Sequence, residues 1–225
     1  MATLFQNLIA AIIDDDRAAV QALLKKDPSL VVAHAEQERL ETTLPHWIYV
    51  GDTALHAAAA GHRVEIARLL LKAGADVRSA QNRRASQPLH YAADGCLDNA
   101  AWSPERQVKT INLLIESGAE LHARDKNGAT ALHRAVRTRC AAAAIRLLDL
   151  GADPTLKNEP GSTVFHLAVQ NTGRGGSGSD KAITAQREII QALLARSFSP
   201  KLKDGKGKTV LQSARSEWIR ELLTR

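Results

Sequence analysis

One short string of residues returns along this chain at a nearly constant interval, and that periodicity constrains the fold more than any other feature. GDTALHAAAA begins at Gly51, and related strings follow as SQPLHYAA from Ser86, GATALHRAV from Gly128, GSTVFHLAV from Gly161 and GKTVLQSA from Gly207. Their lead residues Thr53, Gln87, Thr130, Thr163 and Thr209 are 34, 43, 33 and 46 residues apart, a base period of 33 with about ten and thirteen residues added in two units. Each opening is followed by a second signature: LLLKAGAD ending at Asp76, LLIESGAE at Glu120, LLDLGAD at Asp153 and a degenerate LLARSFS at Ser199. A unit this short cannot bury its apolar face alone, so it must stack on its neighbours.

Composition fits that demand. Of 225 residues, 38 are Ala and 28 are Leu, against 8 aromatics and one Met. Ala favours helix and lets backbones approach, which suits helices packed in thin layers better than one large round core. No apolar run approaches a membrane span, and Leu8 to Ile13 is too short and wrongly flanked for a secretory signal. Two cysteines make no disulfide framework, so the sequence reads as a cytoplasmic protein of a reducing compartment, with no membrane association.

The paired motifs resemble the ankyrin repeat, whose unit opens on T-P-L-H-x-A-A and closes its second helix on L-L-x-x-G-A-D. The resemblance covers roughly residues 51–225. It implies an all-α solenoid of stacked helix-turn-helix units with β-turn fingers, no catalytic activity and no cofactor. Thr at each opening would cap the first helix, and Gly74, Gly118 and Gly151 stand where a left-handed residue ends the second. In the family, the imidazoles at the places of His56, His90, His133 and His166 bond backbone groups between repeats. Residues 1–50 keep the rhythm without the motif, with helices expected near Leu4 to Ile13 and Arg17 to Lys26. They read as a capping pair followed by an irregular segment from about Ala33 to Val50. Residues 51–205 then hold four repeats, with inter-helix insertions near 94–107 and 171–185. Residues 206–225 form a charged half-repeat that closes the stack, all in one continuous domain. The fourth and fifth units, which depart most from the motif, are expected to be the least regular.

Candidate chemistry is sparse. The four motif histidines are one repeat apart and cannot share an ion, the other four show no ligand spacing, and no metal site is expected. Gly173 to Gly178 matches G-x-G-x-x-G, but it follows a helix rather than a strand. It is either a flexible insertion or, with Arg174, a cradle for phosphate or an acidic peptide. The turns between paired helices should share one edge, where Trp102, Arg137, Arg139 and Arg174 would meet as a basic, aromatic recognition site or stand as solvated loop residues. Along the opposite, first-helix face, Ala57, Tyr91, Arg134 and Leu167 form a ladder beside basic finger residues that include Arg78, Arg84 and Arg124. Trp47 and Tyr49, just ahead of the first motif, either anchor a partner or pack on the cap.

Net charge is +6, but residues 1–50 carry 4 basic against 7 acidic side chains, so the positive end is C-terminal. That gradient suits an extended, acidic protein partner. The chain therefore reads as a monomeric, non-enzymatic protein-binding scaffold or regulator. The alternative is nucleic-acid or anion binding through the basic face or the glycine-rich loop. Nucleic acid is disfavoured, because Lys201 to Lys208 lacks interleaved aromatics and no nucleic-acid motif occurs.

Overall fold

The computed structural model describes residues 3–41, 46–171 and 178–224. Helices α1 (Leu4–Ile13) and α2 (Arg17–Lys26) form the first layer, and a 3-10 turn, Pro28–Val31, leads away from them. The repeats follow as α3 (Ala54–Ala60) with α4 (Val64–Lys72), α5 (Pro88–Ala93) with α6 (Pro104–Glu116), α7 (Ala131–Arg137) with α8 (Ala141–Asp149), and α9 (Val164–Ala168) with α10 (Asp180–Ala195). Short helices α11 (Val210–Ser213) and α12 (Glu217–Thr224) end the stack. First helices pack on first helices, in the order α1, α3, α5, α7 and α9, while α4, α6, α8 and α10 stack behind them.

The repeated residues explain the layers. Thr53, Thr130 and Thr163 each sit just ahead of a first helix, with the hydroxyl 2.7–2.9 Å from Nδ1 of His56, His133 and His166. The other face of the ring ties one repeat to the next: His56 Nε2 lies 2.9 Å from the Ser86 carbonyl oxygen, and His166 Nε2 2.9 Å from that of Lys208. His90 lies 3.1 Å from both the Ala123 and Ala129 carbonyls. These rings are buried, and burial lowers the pKa of His56 and His90 to about 4, so both are neutral staples at physiological pH. Small residues sit where layers meet: Ala57, Ala58, Ala92 and Ala135 are fully buried.

Left-handed residues punctuate the chain. Gly74, Gly118 and Gly151 have φ of +97°, +93° and +91° after their second helices. Ser197 takes the same role after α10 with φ +62°, a conformation that strains a side-chain-bearing residue. Tight turns between paired helices use a second left-handed position, at Asp15, His62 and Arg139. His62 Nε2 lies 3.1 Å from the Ala92 carbonyl, at the buried C-terminal end of the neighbouring first helix. Arg139 repeats the device two layers on, donating to the carbonyls of Ala168 and Gln170 at 3.3 and 2.6 Å.

The segment between the cap and the first motif is not wholly irregular. Strands β1 (Arg39–Glu41) and β2 (His46–Ile48) pair antiparallel, with Leu40 opposite Trp47. The helical solenoid thus carries a small strand pair that an all-α reading omits. Trp47-Ile48-Tyr49-Val50, a run of aromatic and β-branched residues, supplies the propensity for it.

Candidate protein-interaction site

The strand pair leads into a polar network on the first-helix face. Asp52, the residue ahead of the first motif Thr, is fully buried. Its carboxylate accepts the Tyr49 backbone N–H at 2.8 Å and the Tyr91 hydroxyl at 2.8 and 2.9 Å. Burial outweighs those bonds and raises its pKa from 3.8 to about 6. Tyr91 is itself fully buried, with the His46 ring 4.6 Å from its own. Burial, then the Asp52 charge, pushes its hydroxyl pKa up.

Arg134 stands next in the ladder and is 2% exposed. It donates to Asp94 Oδ2 at 2.8 Å, Asp125 Oδ2 at 2.6 Å and Ser86 Oγ at 2.8 Å. Burial works against ionising Asp94, but His46, Arg134 and Arg137 outweigh it and hold the carboxyl below its ordinary range. Asp125 is also depressed, with Arg134 overcoming its burial. One guanidinium therefore clamps the second insertion-bearing repeat to the third.

Several expected contact residues are thus structural. Tyr91 and Arg134 do not face solvent, because the Tyr49 to Asp52 segment, His46 and three carboxylates occupy the space in front of them. Arg139 is 6% exposed and consumed by helix-end carbonyls; burial alone lowers its pKa to about 10. Tyr49 is buried beneath Arg83 and Arg84, each guanidinium 5.1 Å from its ring centroid. His46, Asp94 and Asp125, which organise the network, lie outside the repeated strings, and Asp52 stands inside the first at a position that Ser86, Ala129, Ser162 and Lys208 fill elsewhere, so the repeat gave none of them a role.

Other candidates stay at the surface. Trp47 is 45% exposed. Arg78 bonds the Gly118 carbonyl and pairs with Glu120, and Arg124 donates to the Lys157 carbonyl at 2.7 Å, yet both residues remain exposed. Arg84 donates to the Tyr49 hydroxyl at 2.8 Å. Arg137, with 56% of its side chain exposed, reaches Asp94 Oδ1 at 3.6 Å. Trp102 is half-buried, and its Nε1 has no acceptor among the described residues.

Arg174 and residues 173–177 of the glycine-rich loop lie outside the described residues. The two insertions do adjoin: a cavity of about 710 Å³ is lined by Leu97 to Trp102 on one side and Asp180 to Glu188 on the other. The described charges there are Asp98, Asp180 and Glu188 against Lys181, so this part of the edge is acidic rather than basic. Among the described residues, no group of three His, Cys, Asp or Glu side chains converges as metal ligands would, and no helix is long and apolar enough to cross a membrane.

Stacked helix pairs, left-handed helix stops and histidine staples between layers define a helical-repeat solenoid. Two family models match, "Ankyrin repeats (3 copies)" over residues 8–102 and "Ankyrin repeats (many copies)" over residues 114–168, and the chain belongs to the ankyrin repeat family. The first match begins inside α1, so the family pattern reaches into the segment read from sequence as a cap. An ankyrin repeat domain from Acinetobacter baumannii AYE shares the fold, with a TM-score of 0.69 over 96% of this chain and 95% of that one at 24% identity. Human ankyrin repeat and SOCS box protein 6 is 30% identical over 158 residues, 66% of this chain and 35% of that protein. The Neurogenic locus Notch protein of Drosophila melanogaster is 46% identical over 69 residues, 30% of this chain and 3% of that protein. The Caenorhabditis elegans ankyrin repeat and LEM domain-containing protein 1 homolog is 36% identical over 96 residues, 43% of this chain and 13% of that protein. The chain therefore spans about a third or less of these relatives' lengths. Ankyrin repeats generally mediate protein–protein interaction and are typically non-enzymatic.

Proposed function

We propose that this chain is a non-enzymatic protein-interaction module that holds an extended acidic segment of a partner along its fingers. One observation carries the reading: Arg78, Arg124, Lys126, Lys157 and then Lys201, Lys203, Lys206 and Lys208 are exposed on successive fingers. Stacked helices stand about 8–10 Å apart, close to the Debye length of about 8 Å at physiological salt. The fields of neighbouring fingers therefore overlap and steer an anionic strand along the row. The free Cys96 and Cys140 accord with a cytoplasmic setting, where the chain acts as a monomeric scaffold or regulator.

The test is to pan a library of random displayed peptides on the full chain. Enrichment of Asp- and Glu-rich peptides is expected, with affinity falling as salt rises and after Arg124→Glu and Lys157→Glu. Selection of neutral or basic peptides indifferent to those substitutions defeats the proposal. Equal binding of any oligonucleotide, with the steep salt dependence of counterion release, favours nucleic acid instead.

A further inference from the structure

A cavity of about 260 Å³ opens between β2 and the loop Asp94 to Trp102, bounded by Trp47, Arg84, Asp94, Trp102 and Arg137. Pockets for whole cofactors or drug-sized ligands span about 300–1,000 Å³. This one is of a size for a single side chain.

Two of the guanidiniums on its walls, those of Arg84 and Arg137, lack a hydrogen-bonded acid. Arg134 is hydrogen-bonded to both Asp94 and Asp125. Arg63, also at the cavity, turns to the Ile13 carbonyl and to Asp15. Arg84 and Arg137 are left. The first donates to a neutral phenol, and the second shares at 3.6 Å an aspartate that Arg134 already holds at 2.8 Å. Trp102 adds an indole wall, its Nε1 buried beside Gly95 without an acceptor. Asp94 Oδ1 on the same wall also lacks a hydrogen bond, so the unmet demand for a charged acceptor is that of the Arg84 and Arg137 guanidiniums.

We propose that this cavity anchors the carboxylate of one Asp or Glu side chain in a partner's extended segment, received by Arg84 and Arg137 and flanked by Trp47 and Trp102. The assignment rests on the protein-binding reading above and gives it a fixed point. A carboxylate is favoured over a phosphate because Asp94 stands beside Arg137: a group near two negative charges meets about twice the repulsion of a monoanion there.

The experiment titrates the isotope-labelled full chain with capped Gly-Ser peptides carrying one central Glu, Gln or phosphoserine, following the indole N–H resonances of Trp47 and Trp102. The Glu peptide should shift both saturably, with the Gln peptide about tenfold weaker or worse. Arg137→Gln should weaken the Glu peptide by a similar factor, as should Arg84→Gln. Arg137 is the surer variant, since its side chain is largely exposed and its loss leaves the Tyr49 contacts intact. Equal binding of Glu and Gln, tighter binding of phosphoserine, or indifference to Arg137→Gln overturns the assignment. A single-Glu probe has no need of the fingers, so Lys157→Glu should leave its shift unchanged. Loss of finger dependence in the display selection with this titration intact removes the finger reading alone, and the reverse result removes the anchor alone.

Discussion

Replacing Arg134 by alanine should destabilise the middle of the solenoid more than any other single change at a charged residue. The guanidinium is 2% exposed and makes bonds of 2.6–2.8 Å to Asp94, Asp125 and Ser86. Its removal leaves two carboxylates buried, with Asp125 retaining only backbone N–H donors. Breaking a buried ion pair from one side costs about 3–5 kcal/mol, which for a chain of this size lowers Tm by about 6–20 °C. The pH dependence distinguishes charge from lost packing. In the intact protein both aspartates titrate below the ordinary range, so their contribution is complete above the unfolded pKa near 4 and is lost as pH falls through the folded values. Without Arg134, burial is weakly opposed and raises both pKa values, so protonation relieves the variant first. The deficit measured by urea unfolding, followed by far-UV circular dichroism, should be largest near about pH 7 and shrink by about pH 4.5. Arg134→Lys should fall between, since it keeps the charge and loses the fork that reaches both carboxylates. A loss below about 1 kcal/mol, or one constant across that pH range, would refute the clamp.

Four further outcomes follow from the geometry. Gly95→Ala places a Cβ 2.5 Å from Cys140 Sγ and 2.6 Å from Trp102 Nε1, so a stability loss of about 1–3 kcal/mol with altered tryptophan fluorescence is expected. Asp52 has a folded pKa raised to about 6 from 3.8, so its contribution is complete below the unfolded value and is lost as pH rises through about 6. Asp52→Asn should flatten that part of the stability profile, by up to about 3 kcal/mol, in chemical melts across about pH 4–7. Arg139→Ala leaves the Ala168 and Gln170 carbonyls at the end of α9 to Gln186 Nε2 alone, at 2.7 and 2.9 Å, and should raise amide hydrogen exchange around residues 164–170 while leaving the first repeat unchanged. Ser197→Gly removes left-handed strain at φ +62° and should raise the unfolding midpoint, equivalent to about 1 kcal/mol.

What the sequence made legible was whatever recurs with the layer. Thr caps, histidine staples and left-handed glycines are each set by a backbone need that returns every repeat, so periodicity alone exposes them. Tyr91 and Arg134 mark where that logic fails. The position after a motif histidine looks the same whether water or protein lies opposite, and what lies opposite comes from His46, Asp52 and Asp94, which recur in no other repeat, and from Asp125, whose place is taken by Asn82, Asn158 and Asp204 elsewhere. Asp52, within the first opening string, and Asp125, three residues ahead of the third, did stand where a carboxylate reaches the first-helix face. Arg139 was misleading for another reason. A surface turn suggests a free side chain, but this left-handed turn carries a guanidinium that reaches the next first helix's C-terminal carbonyls, which it shares with Gln186.

That internal network changes where a partner can gain affinity. A bare ladder of first helices would present Tyr91 and Arg134 as contacts; here they are already paired, and drawing them outward would strand buried carboxylates. On the proposed reading, contacts come instead from groups without a close acid partner or at the surface: the finger cations, Trp47 and the Arg84 and Arg137 pair. The clamp also fixes the position of Asp94, and with it the loop that carries Trp102, before any partner arrives. The aromatic wall of the small cavity is consequently set by the fold, which lowers the ordering cost of binding there. The stiffness of Arg134 and the openness of Arg137, three residues apart on one helix, are in this sense two ends of one device.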